Sequence, residues 1–179
     1  MVSVRQHPPN DSNPCNPGGG GFGSRLNLLL SCGSWQADPW VDRLPRLLEP
    51  LGIRSHQAHT GAHASRIIKV TPIHVAVVDL ALPLDEQGTL PDPDLAEGGP
   101  RLLELLARLE SPPPVVAVKR SRTHRDDARD IAAALRLGAF AVIDRPRDLA
   151  DLNLVLDVLR RCLERHYNGC WPRMPGPNG

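Results

Sequence analysis

The sequence lacks several features that mark common classes of protein. Its 21 basic and 20 acidic side chains leave a net charge of only +1, so nucleic-acid binding would need a local basic patch. Aromatic residues make up 3% of the chain, which disfavours the stacking platforms that bind single-stranded nucleic acids. No apolar run approaches the ~18 residues of a transmembrane helix, and the polar N-terminus lacks the apolar core of a signal peptide. We therefore expect neither a nucleic-acid partner nor a membrane partner.

Cysteines are few and widely spaced, at positions 15, 32, 162 and 170. They form no CxxC pair, and in a chain of this length they indicate the reduced thiols of a cytoplasmic protein rather than a disulfide framework. Cys162, His166 and Cys170 are spaced four residues apart, but Asn168 and Gly169 favour a helix end before Cys170. We therefore expect Cys162 to be a small apolar core residue rather than a zinc ligand.

Composition divides the chain into one domain and two tails. Residues 1–24 and 167–179 are rich in Pro and Gly and cannot bury apolar surface, so we predict a disordered leader and a disordered tail. The GGGGFG stretch of the leader precedes a strand and lacks a GK[ST] ending, which favours a linker over a phosphate-binding loop. The apolar fraction of 41% is sufficient for one folded domain over residues 25–166.

Within this domain, apolar runs alternate with leucines at helical spacing. The runs predict strands at 26–31, 74–80, 114–118 and 140–144, with a weaker and more polar strand at 53–59. The intervening segments predict a first helix that ends at 51 and is either kinked at Pro45 or begins near it, after Asp42. Further helices are predicted at 62–70, at 100–109, from the cap Thr123 to 137, and from 148 or 150 to 165. This alternation predicts a doubly wound α/β domain with a five-stranded parallel sheet and helices on both faces. Functional side chains are then expected beyond the carboxyl ends of the strands.

Two of those carboxyl ends carry a specific pattern. The third strand ends in VVDLALP, with Asp79 at its tip and Pro83 four residues later, and the fifth strand ends in Asp144-Arg145-Pro146 after a Leu-Gly-Ala-Phe turn. In this order, over about residues 25–165, the chain resembles the receiver domain of two-component response regulators. The resemblance implies the flavodoxin-like strand order 2-1-3-4-5, a phosphoacceptor position at Asp79, and a cis Arg145–Pro146 peptide bond.

The same resemblance exposes departures from the family pattern. Receivers carry an acidic pair at the end of the first strand, which holds the magnesium ion used in phosphoryl transfer. This chain has Ser31 and Cys32 there, and neither supplies a carboxylate. The strand-four position, which is Thr or Ser in the family, is Lys119, and the aromatic position of strand five is Val142.

The remaining pocket positions implied by the resemblance are Ala81, Arg145 and Pro146, with Arg145 in place of the family's lysine. Because acidic residues are lost and a base is gained at position 119, we expect Lys119 and Arg145 to pair with Asp79 and hold one permanent conformation. The chain is thus predicted to be a pseudo-receiver, with no enzymatic activity, metal or cofactor.

The expected role is signal transduction by protein–protein contact with a histidine kinase or a downstream effector. The last helix and the preceding strand are the predicted contact surface, and the broad apolar face of that helix also allows a homodimer. One alternative is a functional receiver of a phosphorelay, phosphorylated on Asp79 with Mg²⁺ bound. A small-molecule binder of flavodoxin type is disfavoured, since no Gly-rich phosphate loop follows a strand.

Three other segments are candidates for a site. His56, His59 and His63 have a metal-like spacing, but no cysteine or carboxylate joins them in sequence, which favours surface histidines. The basic run 119–129 contains offsetting aspartates and is interpreted as a solvated helix start. The segment 84–99 is longer than the family's loop and is predicted to be an extended insertion beside Asp79.

Overall fold

The computed structural model describes residues 26–33, 39–85, 98–120 and 124–167. The predicted leader, most of the 84–99 insertion and the predicted tail beyond Tyr167 lie outside these residues. The same is true of the predicted cap Thr123 and of Cys170. Those predictions therefore stay predictions.

The described strands form one parallel sheet. The strands are β1 (Leu26–Ser31), β2 (Ile53–Ala58), β3 (Val75–Asp79), β4 (Val115–Lys119) and β5 (Ala141–Asp144). Their order is β2-β1-β3-β4-β5, and every neighbouring pair is parallel. This confirms the predicted fold class and strand order, including the weak second strand. The carboxyl ends of β1, β3, β4 and β5 consequently meet at one edge.

Five α-helices connect and follow the strands. They are α1 (Pro39–Leu48), α2 (Gly61–Val70), α3 (Gly98–Ala107), α4 (His124–Arg136) and α5 (Leu149–His166), with a 3₁₀ turn at Glu49–Leu51 after α1. Helix α1 begins three residues before Asp42, with Pro39 in its first position, where a missing N–H costs no hydrogen bond. Among the described residues, no helix is long and apolar enough to cross a membrane.

Strand alternation divides the core into two layers. On one face, β-strand residues such as Val75 and Val77 pack with α1 and α5. On the other face, Ala76 and Val78 pack with α2, α3 and α4. Successive side chains of a strand point to opposite faces, so this division also decides which layer each residue at the carboxyl edge faces.

The end of α5 corrects one domain boundary. Tyr167 was expected to open the C-terminal tail, but its hydroxyl donates a 2.6 Å hydrogen bond to the carbonyl oxygen of His74. Its ring packs against the α1/α5 core, and burial raises the pKa of its hydroxyl to about 12. Tyr167 is thus part of the domain. The prediction for Cys162 is confirmed, because that side chain is fully buried in the same core.

Candidate functional site

Asp79 is the last residue of β3, and its carboxylate accepts hydrogen bonds from three groups. Its side chain is only 1% exposed. Oδ1 accepts a 2.9 Å hydrogen bond from the backbone N–H of Ala81, and Oδ2 accepts a 3.5 Å bond from the N–H of Gly33. The Arg145 guanidinium approaches Oδ2 through Nη2 at 3.4 Å. Both carboxylate oxygens are therefore engaged by groups of the same chain.

The end of β1 supports this arrangement without adding a carboxylate. Ser31 is fully buried. Its hydroxyl accepts a 3.2 Å hydrogen bond from the backbone N–H of Asp79 and lies 3.3 Å from the carbonyl oxygen of Val77, to which it donates. Cys32 is also buried, and its Sγ lies 3.7 Å from Nδ1 of His59. Ser31 thus braces the backbone of β3 instead of presenting an anionic ligand.

The loop after β5 brings Arg145 to Asp79 but corrects the predicted peptide geometry. Arg145 lies two residues after Ile143, and Asp79 lies two residues after Val77. Because Ile143 and Val77 both face the α1/α5 layer, Arg145 and Asp79 lie on the same side of the sheet. The structure contains no cis peptide bond among the described residues, so Arg145–Pro146 is trans and the cis expectation is wrong. The trans form is the ordinary preference of an X–Pro bond, by about 0.5–1 kcal/mol. Pro146 itself is buried.

Lys119 does not pair with Asp79, which corrects the central electrostatic expectation. Its Nζ lies 2.6 Å from Oδ1 of Asp144 and 3.0 Å from Oδ2 of Asp127. The reason is strand parity: Lys119 continues the face of Val115 and Ala117, which belongs to the α2–α4 layer. Asp144 is its register partner on β5. Asp79 and Lys119 consequently face opposite layers of the domain.

The Lys119 ammonium is stabilised in its charged form. Its side chain is 7% exposed, and burial on its own lowers the pKa of an amine. The hydrogen bonds to Asp144 and Asp127 outweigh this effect and raise the pKa of Lys119 above its ordinary value. Lys119 therefore stays protonated at neutral pH and is unsuited to act as a base or nucleophile.

The other implied switch position, Val142, carries no polar chemistry. It is half-buried on β5 and packs against the α2–α4 layer. An aliphatic side chain of this size lacks both the ring and the hydroxyl of a large aromatic. The structure therefore places Ala81, Ser31 and Arg145 in hydrogen-bond contact with Asp79, while the Cys32 thiol contacts His59 and both Lys119 and Val142 face the other layer.

Two glycines that the sequence analysis missed, Gly98 and Gly99, pack closely against the backbone of the β3–α3 turn. A Cβ added to Gly99 would lie 2.5 Å from the carbonyl oxygen of Asp79 and 2.6 Å from that of Leu80. A Cβ on Gly98 would collide with the backbone of Leu82 and Pro83. The start of α3 can therefore approach the Asp79 turn only without side chains. The Gly-Gly pair just before the leucine periodicity was the available sequence signal.

The donor set does not fit a magnesium ion. Mg²⁺ requires near-octahedral oxygen ligands, with one or two protein carboxylates as the usual contribution. Here the Asp79 oxygens are hydrogen-bonded, the Ser31 hydroxyl is engaged by backbone, and the Cys32 thiol is a soft ligand. Throughout the described part of the chain, no group of three or more His, Cys, Asp or Glu side chains could hold a metal ion.

The histidines of β2 and α2 make separate contacts. His56 Nε2 lies 3.2 Å from Oδ1 of Asn27. The rings of His59 and His63 are tilted, with centroids 6.5 Å apart. His59 is exposed and His63 is half-buried, so the three imidazoles do not converge on one point.

Comparison with solved structures identifies the fold. A CheY-like response regulator receiver domain protein from Methanospirillum hungatei is 20% identical, with a TM-score of 0.58 over 82% of this chain and 100% of that one. The receiver domain of a signal transduction histidine kinase from Syntrophus aciditrophicus is 21% identical, with a TM-score of 0.54, over 79% and 92% of the two chains. The fold is that of receiver domains, which confirms the resemblance at this level.

A third similar structure contains a modified aspartic acid and bound small groups. It is a response regulator protein from Burkholderia pseudomallei with a phosphorylated aspartic acid, a calcium ion and citrate. It is 18% identical, with a TM-score of 0.56 over 81% of this chain and 73% of that one. No model of a known protein family matches the sequence, and no curated protein matches it significantly.

Proposed function

We propose that this chain is a pseudo-receiver: a signalling module of the receiver fold that acts by protein–protein contact, without metal-dependent phosphorylation and without enzymatic activity. The carrying observation is the state of Asp79. Its carboxylate is buried, both of its oxygens accept hydrogen bonds, and the neighbouring strand end supplies Ser31 and Cys32 in place of acids. A cytoplasmic location accords with the buried, reduced thiols of Cys32 and Cys162.

The chemical argument concerns what a phosphoryl donor would meet. A carboxylate attacks phosphorus through a free oxygen, while the charge of the transferring group is neutralised by cations. At Asp79, Oδ2 is already within 3.4 Å of the Arg145 guanidinium, and the described residues contain no group of three or more His, Cys, Asp or Glu side chains that could hold a metal ion. Arg145 alone would have to replace both the metal and the lysine of the family pattern. This favours an occupied structural pocket over a phosphoacceptor.

The partner surface that we propose consists of α5 and β5, as the resemblance implies. Leu149 and Leu154 of α5 are 60% and 56% exposed, whereas Leu152, Val155 and Leu159 of the same helix are buried. The buried set covers the sheet, so the exposed leucines are surplus to the core of one chain. A histidine kinase or a downstream effector is the proposed partner, and a second copy of this chain is the alternative.

A functional phosphoacceptor receiver is the second candidate function. The observation that favours it is the position of Asp79 at the β3 end of a fold in which the Burkholderia protein has a phosphorylated aspartic acid. Under this alternative the chain belongs to a phosphorelay, and the magnesium ligands would have to come from residues outside those described; Asp38, an acidic residue that follows β1 in the sequence, is one candidate.

Phosphorylation is tested directly on the full chain. Wild type and Asp79→Asn are incubated with a small acyl phosphate and millimolar magnesium, and intact mass is measured at once. A phosphorylatable receiver treated in parallel serves as the positive control. We expect no added phosphoryl group in either variant, and no saturable change in backbone amide resonances near Asp79 on titration with magnesium. A phosphoryl adduct present in wild type and absent in Asp79→Asn would establish the alternative function.

Self-association is tested separately by light scattering at two protein concentrations. A mass that rises with concentration in wild type, and does not rise in Leu154→Asp, would assign the surface to a homodimer. Leu135→Asp is the matched control, because Leu135 of α4 is similarly exposed at 49%. A strict monomer would leave a different protein as the partner of this surface.

A further inference from the structure

Lys119 joins three elements on the face of the sheet opposite to Asp79. It is the last residue of β4, Asp144 is the last residue of β5, and Asp127 lies near the start of α4. The ammonium is 2.6 Å from Asp144 and 3.0 Å from Asp127. We refer to these three residues as the Lys119 cluster. One side chain thereby connects helix α4 with two neighbouring strands.

Burial makes this cluster more consequential than a surface ion pair. The Lys119 side chain is 7% exposed, while those of Asp127 and Asp144 are 26% and 65% exposed. Exposed pairs contribute little because water competes for both partners. A buried lysine without partners, by contrast, has a large unfavourable desolvation. The folded domain therefore keeps both carboxylates on Lys119, and α4 must stay close enough to provide one of them.

The contacts of Asp79 take a different route. They reach Gly33 after β1, Ala81 in the β3–α3 turn and Arg145 after β5. None of these polar contacts involves α4. The backbone N–H of Arg145 donates to the carbonyl oxygen of Lys119 at 2.9 Å, but this bond continues the strand pairing and does not involve the Lys119 side chain.

We propose that the Lys119 cluster, and not the state of Asp79, fixes the position of α4 against β4 and β5. A partner that contacts this side of the domain would then meet the same arrangement whatever happens in the Asp79 pocket. The inference is independent of whether Asp79 accepts a phosphoryl group. It concerns how position 119 holds a helix, and not whether position 79 is modified.

Hydrogen exchange followed by mass spectrometry on the full chain tests the proposal, because exchange reports local opening of each helix. Lys119→Met keeps an apolar stem and removes the charge. We expect it to accelerate exchange in peptides covering 124–136 by at least about tenfold, from the loss of charge-assisted hydrogen bonds. Asp79→Asn should leave exchange in those peptides at the wild-type rate.

A milder pair of variants covers the case in which Lys119→Met does not fold. Asp127→Asn weakens one arm of the cluster and leaves the 2.6 Å contact with Asp144. Asp130→Asn makes the same charge change on the same helix outside the cluster, so it is the matched control. We expect faster exchange of α4 in Asp127→Asn than in Asp130→Asn. Equal exchange in these two variants, or faster α4 exchange in Asp79→Asn than in Asp127→Asn, would overturn the proposal.

Discussion

Replacing Asp79 by alanine tests whether this carboxylate contributes to the stability of the folded domain. The variant loses the 2.9 Å hydrogen bond from Ala81 N–H, and a hydrogen bond to a charged acceptor contributes about 1.5–3 kcal/mol. It also loses the Arg145 contact, which at 3.4 Å is a long hydrogen bond and is expected to contribute about 1 kcal/mol. Removal of a buried charge recovers part of this sum. We expect a net loss of about 2 kcal/mol in the free energy of unfolding.

The assay is urea denaturation of Asp79→Ala beside Glu110→Ala, a control at an exposed acidic residue. A lower midpoint with an unchanged m-value would report lost stability rather than a changed unfolded state. Surface substitutions of the control type usually stay within about 0.5 kcal/mol. Coincident midpoints for wild type, Asp79→Ala and the control would refute the reasoning and leave Asp79 without a structural role.

Double-mutant cycles locate the partner of Asp79. Combined with Arg145→Met, Asp79→Ala should show a coupling energy of about 0.5–1 kcal/mol, because the two side chains are in contact. Combined with Lys119→Met, it should be additive, because Lys119 contacts Asp127 and Asp144 instead. A larger coupling with Lys119 than with Arg145 would contradict the geometry described above.

Three further predictions follow from burial, close approach and titration. Val77→Asp, at a fully buried position, should abolish cooperative melting by circular dichroism, while Val70→Asp at an 82% exposed position should melt as wild type does. Gly99→Ala should lower the melting temperature because its Cβ meets backbone at 2.5 Å, whereas Gly61→Ala has only ordinary 3.5 Å contacts and should not; equal shifts would contradict this. Burial lowers the pKa of His74 in the folded protein, so the unfolded chain binds a proton at His74 more readily than the folded one does. The contribution of His74 to stability is therefore present above about pH 6.5 and is lost as the pH falls below that value. Wild type should therefore lose more stability than His74→Gln between about pH 7.5 and 5 in urea titrations, and equal losses would refute the assignment.

The fold was predictable because most of its elements, the second strand excepted, have a strong local pattern. The run Leu26–Ser31 and the run Val75–Asp79 are mostly apolar segments, as buried parallel strands require. Gly52 and Gly138 stand where the 3₁₀ turn after α1 and helix α4 end, and both adopt positive φ values of 76° and 90°. The start of α1 was missed because its apolar positions Trp40 and Val41 precede the leucine periodicity from which the helix was predicted.

The site was predictable only in part, because the sequence analysis placed residues at strand ends without assigning the face of the sheet toward which each side chain points. The resemblance implied a pocket that contains Asp79, Ala81 and Arg145, and in the structure Ala81 N–H and the Arg145 guanidinium contact Asp79. It did not reveal the Gly33 N–H contact or the backbone contacts of the Ser31 hydroxyl, since both depend on where the backbone lies, and the Gly98–Gly99 pair was a signal that the sequence analysis did not use. Asp144 could have been found, because a parallel β4–β5 pair that aligns Val118 with Ile143 necessarily places Lys119 beside it.

Strand parity therefore decides which partners Asp79 and Lys119 contact at the carboxyl edge of the sheet. Asp79 continues the parity of Val77 and is engaged on the α1/α5 side, whereas Lys119 continues the parity of Ala117 and is engaged on the α2–α4 side. The Lys119 ammonium consequently cannot serve as the counter-charge of Asp79, although both residues end strands at one edge of the sheet. Each charge is instead balanced locally, Asp79 by Arg145 and Lys119 by two aspartates. Because each group is neutralised by its own partners, we expect the interaction between Asp79 and Lys119 to be small, and this is why the cycle between them should be additive.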